Sequence, residues 1–90
     1  MTVKEALEVG LARIREHGWI QGSAGDTLSG YCAIGALPTD SLGFRFHPGA
    51  INALAAQAHS PYLAKWNDEP GRTQAEVETT YEAAIEAEKA

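Results

Sequence analysis

Apolar residues recur at helical spacing in the first stretch of the chain. Val3, Leu7, Leu11 and Ile14 line one side of a helix predicted over residues 3–17, and Gly18 ends the run. Thr2 followed three residues later by Glu5 is a capping-box pattern for its start. Lys4, Glu8, Arg13 and His17 fall on the wet side, and the short Ala6 and Ala12 would let a neighbour approach closely. The same grammar returns at the other end. Thr73 and Glu76 form a second capping box, opening a helix over about 74–88 that carries Val77, Tyr81, Ala84 and Ile85. Glu86 and Glu88 oppose the macrodipole at its end, so fraying is expected there.

The middle is punctuated by glycine and proline. Gly22 to Gly30 reads as a loop, with Trp19 and Ile20 tucked back onto the first helix. Small residues around Tyr31 and Ile34 predict a short buried helix over 30–37, with Ser29 as its cap and Pro38 as its end. Residues 38–47 form a connection, in which Phe44 and Phe46 alternate around Arg45 as a brief extended piece. Pro48 fits the first turn of another helix, carrying Ile51, Leu54, Ala55 and Ala58, with Ser60 and Pro61 beyond its end. His47 stands where that helix needs a cap. Tyr62 to Trp66 adds a helical turn before a corner at Asn67 and Asp68. The expectation is an all-α fold: one domain over residues 1–90, a bundle of about four helices joined by Gly-rich loops.

Composition narrows the function classes. In a chain of 90 residues most of the large apolar side chains must share one core. They are Leu7, Leu11, Ile14, Trp19, Ile20, Ile34, Leu37, Ile51, Leu54, Leu63, Trp66, Val77, Tyr81 and Ile85. A net charge of −5, with seven basic residues against twelve acidic ones, argues against direct nucleic-acid binding. No apolar stretch approaches a membrane span, and a single cysteine excludes an internal disulfide. No secretory leader is recognisable, so a cytoplasmic protein is expected. So small a core is also compatible with a homo-oligomer, of a stoichiometry the residues leave open.

Candidate chemistry centres on Cys32. As a nucleophile near a helix start, with His47 or His59 as base and Asn67 or Asp68 orienting that base, it would follow the chain order of papain-like enzymes. A small buried core cysteine is the competing assignment. Cys32, His17, His47 and His59 lack the short ligand pairs of a zinc site, so no metal or other cofactor is expected. The tetrapeptide GSAG at 22–25 lacks the Lys and Ser/Thr of a phosphate loop. Trp66, Asn67, Asp68 and Arg72 suggest a corner fixed by an Asp68–Arg72 ion pair, which would also present a polar surface to a partner.

In order along the chain, GYCAIGAL at 30–37, WND at 66–68 and GRTQAEV at 71–77 form a pattern. It resembles, over roughly residues 1–88, a family of small proteins of unknown function found in actinobacteria and their phages. The matching positions are Cys32, Gly35, Ala36, Leu37, Trp66, Asn67, Asp68, Arg72, Thr73 and Val77. The stretch from Pro38 to Gly49 is particular to this chain. The resemblance implies a helical accessory protein, phage-encoded or actinobacterial, acting in the host cytoplasm. The preferred function is therefore a non-enzymatic module that binds a host or phage protein, through Trp66–Arg72 or through the 38–49 connection. The alternatives are a Cys32-dependent hydrolase or transferase, and a small-molecule or nucleotide binder with a pocket lined by Trp19, Tyr31 and Trp66.

Overall fold

The structure is a computed structural model that describes residues 1–40 and 42–88; Ser41, Lys89 and Ala90 lie outside it. Helix α1 spans Val3–His17, and both arms of its capping box are made. The Glu5 amide donates to the Thr2 hydroxyl at 3.0 Å, and the Thr2 amide donates to the Glu5 carboxylate at 2.7 Å. Ala6, Leu7, Gly10, Leu11 and Ile14 are its buried face. Gly18 stops it with φ of 94°, a backbone conformation that a β-carbon disfavours.

The chain then departs from a pure helical bundle. A two-stranded antiparallel hairpin, β1 (Gly25–Asp26) and β2 (Gly30–Tyr31), lies inside the expected loop and takes the start of the expected 30–37 helix. The physical cause is close backbone approach. Gly30 has φ of 96°, and a β-carbon there would sit 2.8 Å from the Gly18 carbonyl carbon. The Tyr31 amide donates to Gly18 O and the Ile20 amide to Tyr31 O, so Trp19 and Ile20 run alongside β2.

Residues 33–36 form turns rather than a helix, and both polar backbone groups of Ala33 are engaged elsewhere. The Ala33 amide donates to Asn67 Oδ1 at 2.9 Å, and the Ala33 carbonyl accepts from the Tyr81 hydroxyl at 2.5 Å. Ser29 does not cap this segment; its hydroxyl donates to Asp26 Oδ1 at 2.9 Å. The segment is nonetheless buried, as its small residues require: Cys32, Ala33, Gly35, Ala36 and Leu37 all lie inside.

Helix α2 spans Pro48–Ala58, with Pro48 in its first turn and His47 Nδ1 accepting from the Ala50 amide at 3.2 Å. It ends at His59, a non-glycine residue in the left-handed region with φ of 55°. A short helix α3 covers Leu63–Asn67, and α4 runs from Gln74 to Ala87 behind the Thr73–Glu76 capping box. Among the described residues the result is four helices with a small antiparallel hairpin, mainly helical but not all-α.

Helix α1 packs against α4, α2 contacts both, and α3 closes against α2. Leu7, Ile14, Leu37, Leu54, Val77 and Tyr81 are fully buried between them. Six of the expected core residues (Trp19, Ile20, Ile34, Ile51, Trp66 and Ile85) are only half-buried. The α1–α4 approach turns on Gly10 and Tyr81. A β-carbon on Gly10 would lie 2.6 Å from the Tyr81 hydroxyl, so the glycine makes room for the ring. Ala6 is buried as expected, whereas Ala12 faces solvent and Arg13 turns inward to donate to Ala36 O at 3.1 Å. At the surface Arg15 spans to Glu78 and Glu82 of α4, at 2.9 and 3.0 Å.

Candidate functional site

Three regions hold the residues singled out by the sequence. The first is the corner after α3, whose centre is Asn67, a polar side chain only 1% exposed. All of its hydrogen-bonding capacity is used. Its Oδ1 accepts from Trp19 Nε1 at 2.6 Å and from the Ala33 amide, while its Nδ2 donates to Ile20 O and Asp68 Oδ1 at 3.2 and 3.0 Å. Gln21 adds a side-chain clasp to the carbonyls of Asn67 and Glu69. Asp68 accepts from the Gly22 amide at 3.0 Å. That bond, with the Asn67 amide second, holds its carboxyl below the usual aspartate range.

Asp68 and Arg72 do not form the expected ion pair. Arg72 stacks on the Trp66 ring, with Cζ 4.2 Å from the ring centroid, donates to Trp66 O at 3.0 Å and pairs with Glu76 at 3.1 Å. The reason is directional: Asp68 is drawn to the 20–22 segment, whereas the guanidinium lies back over the indole and the first turn of α4. Trp66 and Arg72 are half-buried beside a surface groove of about 400 Å³ that also includes Gln57 and Thr79. Of the expected recognition set, Asn67 is therefore inaccessible and Asp68 exposed.

The second region is a cleft of about 290 Å³ lined by both Cys32 and Asp68, with Ser23, Ile34 and Ala64 among its walls. Cys32 Sγ accepts from the Gly35 amide at 3.1 Å. Neither His47 nor His59 lines this cleft. They are the two caps of α2, roughly 18 Å apart along its axis. The structure thus brings together Cys32 and Asp68 of the catalytic set but leaves out its base, and Cys32 follows a strand instead of opening a helix. Nor do Trp19, Tyr31 and Trp66 share a pocket: Trp66 belongs to the α2–α4 groove, while Trp19 bridges Tyr31 beside α1. Among the described residues no three or more His, Cys, Asp or Glu side chains converge to hold a metal ion, and no helix is long and apolar enough to cross a membrane.

The third region is the 38–47 connection, which is a small hairpin. Thr39 and Phe46 pair antiparallel, the Asp40 amide donates to Arg45 O at 2.7 Å and the His47 amide to Pro38 O at 2.9 Å. The Asp40 carboxylate accepts from the Leu42 and Phe44 amides, both at 3.1 Å. Both bonds tie Leu42 and Phe44 to Asp40, and the two side chains face outward: Leu42 is 73% and Phe44 83% exposed. Of the extended piece expected at 44–46, only Phe46 pairs with the other arm, and Phe44 and Arg45 lie in the bend before it. Leu42 and the anchoring role of Asp40 escaped the sequence reading. The available signal was Asp-Ser-Leu-Gly at 40–43, which repeats the Asp-Thr-Leu-Ser of 26–29 and carries the Asp of an Asx turn.

No curated protein and no solved structure matches this chain significantly. The 1–87 stretch, which includes the corner, the cleft and the hairpin, does match one family, and the chain belongs to it: the family of unknown function DUF6197.

Proposed function

We propose that this protein is a non-enzymatic accessory module that docks onto a partner protein through the 38–47 hairpin. One observation carries the reading: two large apolar side chains, Leu42 and Phe44, project into solvent from a backbone held by the Asp40 carboxylate. An apolar anchor already fixed in place loses little freedom on binding, and this is what makes a few residues dominate an interface. The Trp66–Arg72 corner is a weaker docking surface, since its polar groups largely satisfy one another. A thiol enzyme at Cys32 is disfavoured by the absence of a histidine from its cleft. From the resemblance to actinobacterial and phage proteins, the partner is a host or phage protein and the site of action the host cytoplasm.

The test is affinity capture from cells of an actinobacterial host, with wild type and Phe44→Ser run side by side. A defined partner retained by wild type and lost by a Phe44→Ser protein of unchanged melting temperature is the expected result. Recovery of the same proteins by both would remove the hairpin from the reading. Thiol-dependent turnover of ester or amide substrates, lost in Cys32→Ser, would replace the reading with the enzyme.

A further inference from the structure

His47 belongs to both the 38–47 hairpin and α2. Its amide donates to Pro38 O at 2.9 Å, closing the hairpin, and its carbonyl accepts from the Ile51 amide at 3.1 Å, opening the helix. Its imidazole caps that helix, with Nδ1 accepting from the Ala50 amide at 3.2 Å. The half-buried ring lies against the first turn: a β-carbon on Gly49 would sit 3.2 Å from its Cε1 and 2.7 Å from the Val3 side chain of α1. A groove of about 350 Å³, lined by Phe44, Phe46, Pro48 and Ile51, straddles this joint.

Serine, threonine and asparagine cap helices through an oxygen that keeps its lone pairs across the whole range around neutral pH. Histidine does not. Nδ1 accepts only while it is unprotonated, which places the proton of the neutral ring on Nε2. Protonation puts a hydrogen where the Ala50 amide points, and sets a positive charge against the positive end of the helix. No neighbouring charge holds the imidazolium in place. Helix α2 carries no charged residue from Pro48 to Ala58. Lys4 and Glu5 flank Val3 on α1, and the Glu5 carboxylate is taken by the Thr2 amide. Asp40 and Arg45 are the charges of the hairpin, and the Asp40 carboxylate is taken by the Leu42 and Phe44 amides. On α4, Glu76 pairs with Arg72 beside the far end of α2. Among the described residues no carboxylate forms an ion pair with His47.

We infer that His47 is a proton-operated latch: neutral, it locks the hairpin onto the first turn of α2; protonated, it releases that turn and loosens the groove above it. Histidine changes charge between about pH 8 and pH 5, above the range in which the carboxylates titrate. His59, at the other end of α2, supplies the contrast. It caps through its backbone, the amide donating to Ala56 O, its side chain is exposed, and a positive charge there suits the negative end of the helix. The consequence for docking rests on the reading of the hairpin as a docking surface, whereas the latch itself is measured without a partner.

The experiment is a nuclear magnetic resonance titration of the isotope-labelled full chain from about pH 7.5 to about pH 5, on wild type, His47→Asn and His59→Asn. Asparagine supplies a capping acceptor that does not titrate. At the neutral end the His47 ring should carry its proton on Nε2. As the ring protonates, the Ala50 and Phe46 amide signals should move with the same midpoint. At the acid end, amide exchange at Ala50 should be about fivefold faster in wild type than in His47→Asn, the change that loss of one cap produces. His59→Asn should respond as wild type does. A proton on Nδ1 at the neutral end, a ring still neutral at the acid end, Ala50 and Phe46 amides that ignore the titration of the ring, or the same response in His47→Asn would each overturn the inference. The tautomer and the shared midpoint are read on wild type alone, so the test does not depend on the folding of either variant. Partner capture that fails at every pH while the latch titrates as expected would count against the docking reading and leave the latch standing.

Discussion

The Asn67 corner and the 38–47 hairpin are both bends of the chain secured by a side-chain amide or carboxylate, yet they do opposite things. At the corner, Asn67 and Asp68 reach back across more than thirty positions of sequence to residues 19–22 and 33, and the polar groups end up inward. At the hairpin, Asp40 bonds its own neighbours at positions 42 and 44, and the apolar groups end up outward. A turn residue that binds locally shapes a loop, whereas one that binds remotely holds the fold together. The corner is therefore the place to look for stability and the hairpin the place to look for recognition.

The largest way to break the corner is Asn67→Ala. It strands the Ala33 amide, the Trp19 indole N–H and the Ile20 carbonyl in a partly dry setting, and should cost about 3 kcal/mol in urea unfolding. Gly10→Ala comes next. Helix propensity alone would favour alanine by about 1 kcal/mol, but the new β-carbon meets a Tyr81 ring that is fixed at both ends. A net loss of about 2 kcal/mol is expected, and a stabilised variant would show that the ring can move aside.

Acid sharpens the contrast further. The carboxyl of Asp68 lies below its ordinary range in the folded state, so its contribution is complete above the unfolded value and disappears as pH falls through the folded one. Glu5, Glu76, Glu78 and Asp26 are shifted in the same direction by capping and turn hydrogen bonds or, for Glu78, first by Arg15. The protein should lose stability below about pH 4, and Asp68→Asn should make that acid limb shallower without abolishing it. The smallest effect on stability belongs to the hairpin. Phe44→Ser should leave unfolding within about 0.5 kcal/mol of wild type while removing partner capture. A large destabilisation would mean that Phe44 belongs to the core after all.

Much of this division was legible in the residues. Both capping boxes were, because Thr2 with Glu5 and Thr73 with Glu76 bond within one turn. So were Pro48 and the His47 cap. The 30–37 segment was not, because its conformation depends on partners far away in sequence: Asn67 and Tyr81 take the two polar groups of Ala33, and Gly18 packs against Gly30. Local propensity had no access to those contacts. Asn67 and Asp68 could be named as a corner from their types, but whether they faced a partner or the interior depended on the 19–22 segment that meets them. The Asp68–Arg72 pairing failed for the same reason, since Arg72 had the Trp66 ring and Glu76 as competing neighbours.

The two hydrogen bonds on Ala33 also bear on how the chain is made. Its amide waits for Asn67 of α3 and its carbonyl for the hydroxyl of Tyr81, whose burial raises its pKa further by excluding the phenolate. During synthesis the middle segment leaves the ribosome well before either partner exists. Until α4 has emerged, the Ala33 carbonyl lacks its hydroxyl partner and the Gly10 side of α1 has no ring to pack against. Folding of this unit is thus expected to wait for α4 and to proceed as one step, and chains cut before Tyr81 should be recognised by the cell as unfinished.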